Sequence, residues 1–450
     1  MPAVFDISRL VSRAGFDTPT GIDRFELNYA KWAIERFGKD LHFVASGAFG
    51  HRGIPPAAAR ALITATSDKW RSSSGLDDQA TTLERLARRI DEPVSMADIH
   101  IGNRGSGSAT LAVTRALNAA IALVWSPSTV PPSSLFIHVS HSQIHRPSSY
   151  GWLPRRACLP LFYLHDLIPL LRPEFSRAGE SDRHRKRVQT ILRLHQLILC
   201  NSQTTARTLD ELAGAEGLAQ PLTAVLPPGI EPTFLTFDPR ARVRTRRPYF
   251  VCVGTIEPRK NHTFLLDIWR QFVERHGAAA PRLVIAGRRG WDNSHVFSLL
   301  NDLSAFQGSV IEADGLSDRA LARLIGGASA LLAPSHVEGY GMPVAEALAI
   351  GTPVIASNIR AHREVSRGRA VLLDALDGLG WMLAIDAYLR SPRRIEHCEQ
   401  KHWTWRAHFD ALHRLLASSG LAPTVEHKPR LVSGGRSPAI GVGDASCQPL

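Results

Sequence analysis

Long apolar stretches are missing from this chain. No uninterrupted apolar run reaches roughly 18 residues, the least that crosses a bilayer as a helix, so no membrane span is expected. Cysteine is scarce. Cys158, Cys200, Cys252, Cys398 and Cys447 stand without C-x-x-C spacing, which argues against a zinc site and a disulfide framework and fits a reducing cytosol. The opening MPAVFDISRL lacks a charged region followed by an apolar core, so no signal peptide is expected. Nucleic-acid-binding signatures are also absent.

What is present is an ordinary globular composition, 44% hydrophobic and 21% charged over 450 residues, enough for two or three domains. The formal net charge is +12. Much of the excess lies in mid-chain, at Arg183, Arg185, Lys186 and Arg187 and again at Arg240, Arg242, Arg244, Arg246 and Arg247. Such clusters attract anionic membrane surfaces or phosphorylated ligands. The plain alternative is a solvated helix face plus a basic linker.

The most informative stretch is residues 330–357, ALLAPSHVEGYGMPVAEALAIGTPVIAS. It reads as strand, loop, short helix and strand. Pro343 suits a helix start, and Gly351 with Pro353 a helix stop. Amides around residues 341–344 then point out of a helix N-terminus, a site for hydroxyls or an anionic phosphate. Gly339 and Gly341 lack Cβ atoms and let a ligand approach the backbone. Glu338 and Glu346 frame the loop. Taken singly, Glu346 could merely complement the helix dipole and Glu338 be a solvated loop residue.

With the intervening Gly-Tyr-Gly-Met-Pro, the pattern resembles the donor-site signature of family-4 retaining glycosyltransferases of the GT-B fold, P-S-x-x-E-G-[FY]-G-x-P-x-x-E-A. By that resemblance Glu338 lies beside the donor sugar and Glu346 binds the ribose hydroxyls. Gly339, Tyr340, Gly341, Met342 and Pro343 would complete the donor loop. The fold implied is α/β, two facing doubly wound Rossmann-like domains with a C-terminal crossover helix.

Other motifs fall around this one. A strand at 249–253 precedes Gly254-Thr255-Ile256-Glu257-Pro258-Arg259-Lys260-Asn261 and a helix over 262–275. A glycine after a strand, with two cations at the next helix start, suits a pyrophosphate. By resemblance Lys260 contacts the donor diphosphate. Many family members carry arginine where this chain has Thr255, which leaves Arg259 and Arg24 as candidates for the second cation. Thr20-Gly21-Ile22-Asp23-Arg24 would stand where the first strand (4–7) feeds the first helix, a usual ligand position. His165-Asp166-Leu167-Ile168-Pro169 follows a strand at 161–164. It resembles a segment of a bacterial subgroup that includes mannosyltransferases for surface polysaccharides, where the histidine lies near the transferred sugar or the acceptor. By resemblance, backbone groups near Gly315-Leu316 would contact the base, and Gly287-Arg288-Arg289-Gly290-Trp291 either flanks the base or is a simple turn.

The expected domains are 1–238 for the acceptor, a basic linker at 239–248, 249–400 for the nucleotide-sugar, a crossover helix at 401–417, and a disordered tail at 418–450. Helices are expected over 109–122 and 180–198, the latter basic and amphipathic. The resemblance implies transfer of a sugar, with mannose from GDP-mannose the leading guess, from a nucleotide-sugar to an acceptor hydroxyl with retention. Glu338, His165 and Lys260 would carry it. The expected acceptor is a lipid-linked oligosaccharide, and the expected location the cytoplasm or the inner membrane face. Nucleic acid is not expected as a partner. No cofactor beyond the co-substrate and no metal are expected, since the family needs none and no D-x-D stands at a strand end. The rivals are an epimerase or phosphorylase on the same fold, or a non-catalytic basic protein binding anionic lipid or nucleic acid.

Overall fold

The structure, a computed structural model, describes residues 1–16, 18–47, 50–72, 76–92, 100–101, 130–291, 293–302, 304–391 and 404–421. Their strands form two seven-stranded sheets. The first holds β1 (Ala3–Asp6), β2 (Leu41–Gly47), β3 (Gly50–Ile54), β5 (Leu135–His138), β6 (Leu159–Leu164), β7 (Leu197–Cys200) and β8 (Thr223–Val225), in the order β3-β2-β1-β5-β6-β7-β8. Only β2 and β3 pair antiparallel. The second runs β14 (Val371–Leu373), β13 (Val354–Ser357), β12 (Leu331–Ala333), β9 (Tyr249–Val253), β10 (Arg282–Ala286), β11 (Val310–Ala313) and β4 (His100–Ile101), all parallel.

These strands are short, nearly all-apolar runs, as parallel strands covered on both faces must be. The period-2 alternation sends their side chains to two cores per sheet. In the first sheet Phe5, Ile137, Tyr163 and Leu199 enter one core while Val4, Phe136, Phe162 and Ile198 enter the other. In the second, Val251, Val284 and Ile311 face one way and Phe250, Cys252 and Ile285 the other. Strand order reverses between β1 and β5 in the first sheet and between β9 and β12 in the second. Crevices open beyond the strand C-termini at such points, and ligands bind there.

The helix expected over 180–198 stops at Leu194. Leu197–Cys200 is spent on pairing with β6, and His195 turns extended to allow it. Chain excursion gives a second difference. The Leu76–Asp91 helix and β4 pack with the second sheet rather than the first, since Leu83, Leu86 and Ile90 lie in the core beneath β9 to β11. Asp91 then accepts from the amides of Arg246 and Arg247 at 2.6 and 3.0 Å. The stretch expected to be a basic linker is fastened along its length, with Val243 buried and its amide on the Arg323 carbonyl. No local pattern announces this, because an amphipathic helix does not name the surface that it covers.

The Trp405–Ser418 helix returns to the first domain. Leu412 and Leu416 enter its core, His408 bonds Tyr29 Oη at 2.8 Å, and Trp405 lies so close to Gly229 that a Cβ there would meet the indole at 2.6 Å. The expectations for 109–122, 401–403 and 422–450 fall outside the described residues.

Leu86 is fully buried. Leu86→Ala should lower global stability by about 2–5 kcal/mol, the usual cost of such a cavity. It should also speed protease cleavage within residues 76–91. An unchanged denaturant midpoint would mean that this helix is not docked.

Candidate functional site

The two sheets face each other across a cleft of about 950 Å³. Loops following β9 and β12, the strands at the second sheet's reversal point, supply its floor: Gly254, Thr255, Glu257, Arg259 and Lys260 from one, and residues 338–343 with Glu346 from the other. The first domain supplies Gly21, Arg24, His165 and Asp166 opposite.

Local geometry sets each side chain. Gly254 has φ +134°, a region closed to most L-residues, and a Cβ there would lie 3.0 Å from Lys260 Cε. The glycine thus makes the passage through which the Lys260 ammonium reaches the cleft. Pro258–Lys260 forms one 3₁₀ turn, and Asn261 ends it in the left-handed region. Its amide donates to the carbonyls of Pro334 and Ala375, tying the two site loops together.

Glu338 is the centre of an ion cluster. Lys260 Nζ lies 2.6 Å from Oε1, Arg259 Nη1 lies 2.6 Å from Oε2, and Ser335 Oγ donates to Oε1 at 2.8 Å. Burial by itself would raise this carboxyl's pKa, but Arg259 and Lys260 outweigh burial and hold it well below the usual carboxylate range. Arg259 also pairs with Glu257 at 2.6 Å. Of the two candidates for the second cation, Arg259 is the one beside Lys260. Thr255 is taken up otherwise: Gly290 packs on it so closely that a Cβ there would meet Thr255 Cγ2 at 2.7 Å.

Arg24 pairs across the cleft with Asp318, joining a helix start in one domain to a helix start in the other. It also faces Glu346 and Glu231. Glu346, 3% exposed, has its pKa pushed up to about 8 by burial, with Arg24 pulling the other way. Gly21 opens the Gly21–Phe37 helix. Thr20 caps it reciprocally with Asp23, and a Cβ on Gly21 would meet open space, so nothing steric demands a glycine there.

Helix Met342–Ile350 begins one residue earlier than Pro343, after Gly341 at φ +99°. Tyr340, Met342 and Pro343 line the cleft beside it. Gly339 lines the cleft and is also a contact point between the domains. A Cβ there would fall 2.3 Å from the His165 carbonyl oxygen and 2.9 Å from Asp166 Cβ. What approaches this glycine is the first domain. Ser202 Oγ donates to the Gly339 carbonyl at 2.7 Å and closes the contact.

His165 donates Nε2–H to the Val139 carbonyl at 2.8 Å, so Nδ1 of the neutral ring is an acceptor. Burial takes its pKa down to about 4. This histidine can receive a hydrogen bond from a hydroxyl but is not a proton donor near neutrality.

Leu316 is not among the cleft residues; it packs partly buried against the core of the second domain, and Leu321, one turn along the next helix, reaches the cleft instead. The loop with Arg288, Arg289, Gly290 and Trp291 does line the cleft. Sequence reasoning missed Asp318, Glu231 and Glu364. Glu364 accepts from the amides of Gln203 and Thr204 at 2.7 and 3.2 Å, capping a first-domain helix from the second domain. Only Asp318 had a signal, its place just after the helix cap Ser317.

Glu346 and Glu26 are both buried with pKa values raised to about 8 from an ordinary 4.5. The native state holds the extra protons between those values, so stability is greatest below the lower one and falls as pH rises toward the higher. Glu346→Gln should remove its share of that fall, giving a flatter plot of urea midpoint against pH between about 5 and 8. Equal slopes in both proteins would show Glu346 already ionised in the fold.

Comparison with known proteins agrees with the geometry. Residues 236–374 match the family described as glycosyl transferases group 1. The serotype-specific mannosyltransferase WbdA of Escherichia coli is 26% identical over 261 residues, covering 54% of this chain and 31% of that protein. The O-antigen chain mannosyltransferase B of Escherichia coli is 30% identical over 129 residues, 29% of this chain and 33% of that one. The chain thus spans about a third of the length of these mannosyltransferases. A D-inositol 3-phosphate glycosyltransferase of Gordonia bronchialis is 27% identical over 288 residues, 58% of this chain and 62% of that protein. Among solved structures, Anabaena Alr3699/HepE in complex with UDP aligns with a TM-score of 0.56 at 13% identity, over 93% of this chain and all of that one. The α/β architecture of two facing sheets is the GT-B fold, and residues 236–374 are a group 1 glycosyl transferase domain within it.

Proposed function

We propose that this chain is a retaining glycosyltransferase that moves a sugar from a nucleotide-sugar donor to an acceptor hydroxyl. One observation carries the reading. Lys260 and Arg259 stand side by side, each 2.6 Å from Glu338, in the crevice where the second sheet reverses and next to the open N-terminus of the Met342–Ile350 helix. Two cations and a helix N-terminus form a receptor for a diphosphate.

In this reading the bond between the anomeric carbon and the diphosphate oxygen breaks, and Lys260, Arg259 and the backbone amides of Gly341 and Met342 take up the charge that develops. The acceptor oxygen bonds to the anomeric carbon on the face that the diphosphate leaves. Its proton passes to the departing diphosphate, because His165 with a pKa near 4 is a weak base and Glu338 is paired to two cations. Glu338 positions the sugar, His165 Nδ1 accepts from a sugar or acceptor hydroxyl, and Glu346 receives the ribose hydroxyls. Gly254, Thr255, Gly339, Tyr340, Met342 and Pro343 shape the donor pocket. No metal is required.

The named activities of WbdA and of O-antigen chain mannosyltransferase B support mannose as the sugar, and the UDP complex of HepE supports a nucleoside diphosphate carrier. GDP-mannose is the proposed donor and a lipid-linked oligosaccharide the proposed acceptor. None of the described helices is long and apolar enough to cross a membrane. The proposed setting is the inner membrane face, reached from the cytoplasm and held there by basic residues.

Calorimetric titration of GDP, UDP and ADP should find one nucleotide that binds. Lys260→Ala should weaken it roughly 10–100-fold, the weight of one charge-assisted hydrogen bond. Folded protein that binds no nucleotide would contradict the assignment.

A further inference from the structure

The first sheet has its own reversal point, between β1 and β5, and a second cavity of about 340 Å³ lies beyond it. Arg9 enters from the segment after β1, and His141, Gln143, His145 and Arg146 from the segment after β5. Arg183 and Arg187 close it from the Glu180–Leu194 helix. Among the described residues, four arginines and no carboxylate line this cavity.

The acids behind it are too few to balance the arginines singly. Glu180 is shared, at 2.9 Å from Arg183 and 2.5 Å from Arg187. Asp23 is shared between Arg9 and Arg13 at 2.6 and 3.1 Å. Arg187 is mostly buried, 14% exposed, and its Nε has no hydrogen-bond partner among the described residues; Gln143 Oε1 and His145 Nδ1 are likewise buried and unpartnered. Burial comes first in lowering the pKa of His145, and the nearby Arg187, Arg146 and Arg183 lower it further, with Glu180 opposing them.

The cavity adjoins the donor cleft. Arg9 lines both, and His141 Nε2 accepts from the His165 amide at 3.3 Å, so a single layer of side chains separates the two. On the reading of the cleft as a glycosyl-transfer site, its other substrate must reach His165 from the first domain. We propose that this arginine cavity binds a phosphoryl or diphosphoryl group carried by the acceptor, and so holds the acceptor's sugar hydroxyl toward the cleft. A phosphate ester in the cavity would meet the planar donors of Arg187 and Arg183 and satisfy the idle Nε. The anion comes either on a lipid carrier or on a soluble sugar phosphate; the receptor chemistry is the same for both.

Inorganic pyrophosphate is the probe, titrated into full-length protein with the donor site first saturated by its nucleoside diphosphate. Arg146→Gln/Arg183→Gln changes only solvent-exposed arginines, so the fold should stand, and Arg187→Lys is the second variant. Pyrophosphate should bind the wild type and bind roughly tenfold or more weakly to both variants, the scale of one or two charge-assisted hydrogen bonds. Nucleotide affinity should stay unchanged in each. Polyprenyl phosphate in neutral phosphatidylcholine vesicles, or hexose 1-phosphate in solution, should compete with the probe. Competition by the first marks a lipid-borne acceptor, and by the second a soluble one. Equal pyrophosphate affinity in wild type and variants, or competition by neither phosphate, would overturn the proposal. Failure of every nucleotide to bind would instead strike the donor reading; pyrophosphate binding without nucleotide, compared between wild type and the double variant, would still judge the arginine cavity.

Discussion

Everything in the site hangs on how closely two independent sheets approach at Gly339. The glycine's Cα touches the turn after β6, where any side chain would overlap the His165 carbonyl. Ser202 holds the Gly339 carbonyl, and Glu364 caps the Gln203–Ala215 helix from the opposite domain. Phe175 stacks on His336 at 5.1 Å, a third link across the seam. Two of these links pair backbone groups at a helix start and in a loop that lack a helical or sheet partner. The seam therefore fixes how far His165 stands from Glu338 without filling the cleft between them.

Within that frame the charges are arranged to be rearranged. Glu338 occupies both cations, and Asp318 occupies Arg24. Buried ion pairs of this kind add little net stability, since desolvation offsets most of the attraction. On the proposed function, their effect would be to keep the cations desolvated and oriented for the donor's diphosphate. Glu346 makes the complementary case. Raised to about 8 by burial, it is mostly protonated near neutrality, and two ribose hydroxyls would favour its charged form. The donor pocket and the arginine cavity repeat one design: a doubly wound sheet opens a crevice where its strand order reverses, and the loops around the crevice carry cations.

Much of this was legible in the sequence, for a physical reason. Short apolar strands and the glycines and prolines that end helices are local signals, so Tyr249–Val253, the strand ending at Leu164 and the helix stop at Gly351 stand where the residues put them. Lys260 and Glu338 were readable because each sits in a strand-to-helix loop of distinctive composition, and the fold brings those loops together. Illegible were the relations between distant segments. Asp318 meets Arg24 across nearly 300 residues of chain. The Leu76–Asp91 helix leaves its own domain to cover the other, and Leu321 reaches the cleft from the helix after the Gly315 turn. Gly339 was recognised as a point of close approach, but composition cannot tell a ligand from a neighbouring domain.

The most direct test of the account is a crystal structure of the full chain with a nucleoside diphosphate bound. The account places the diphosphate at Lys260 Nζ and the backbone amides of Gly341 and Met342, with Lys260 and Arg259 turned from Glu338 toward the phosphate oxygens. It also places Glu346 within hydrogen-bond distance of the ribose hydroxyls. A nucleotide bound elsewhere, with the Glu338 ion cluster intact, would contradict the central claim.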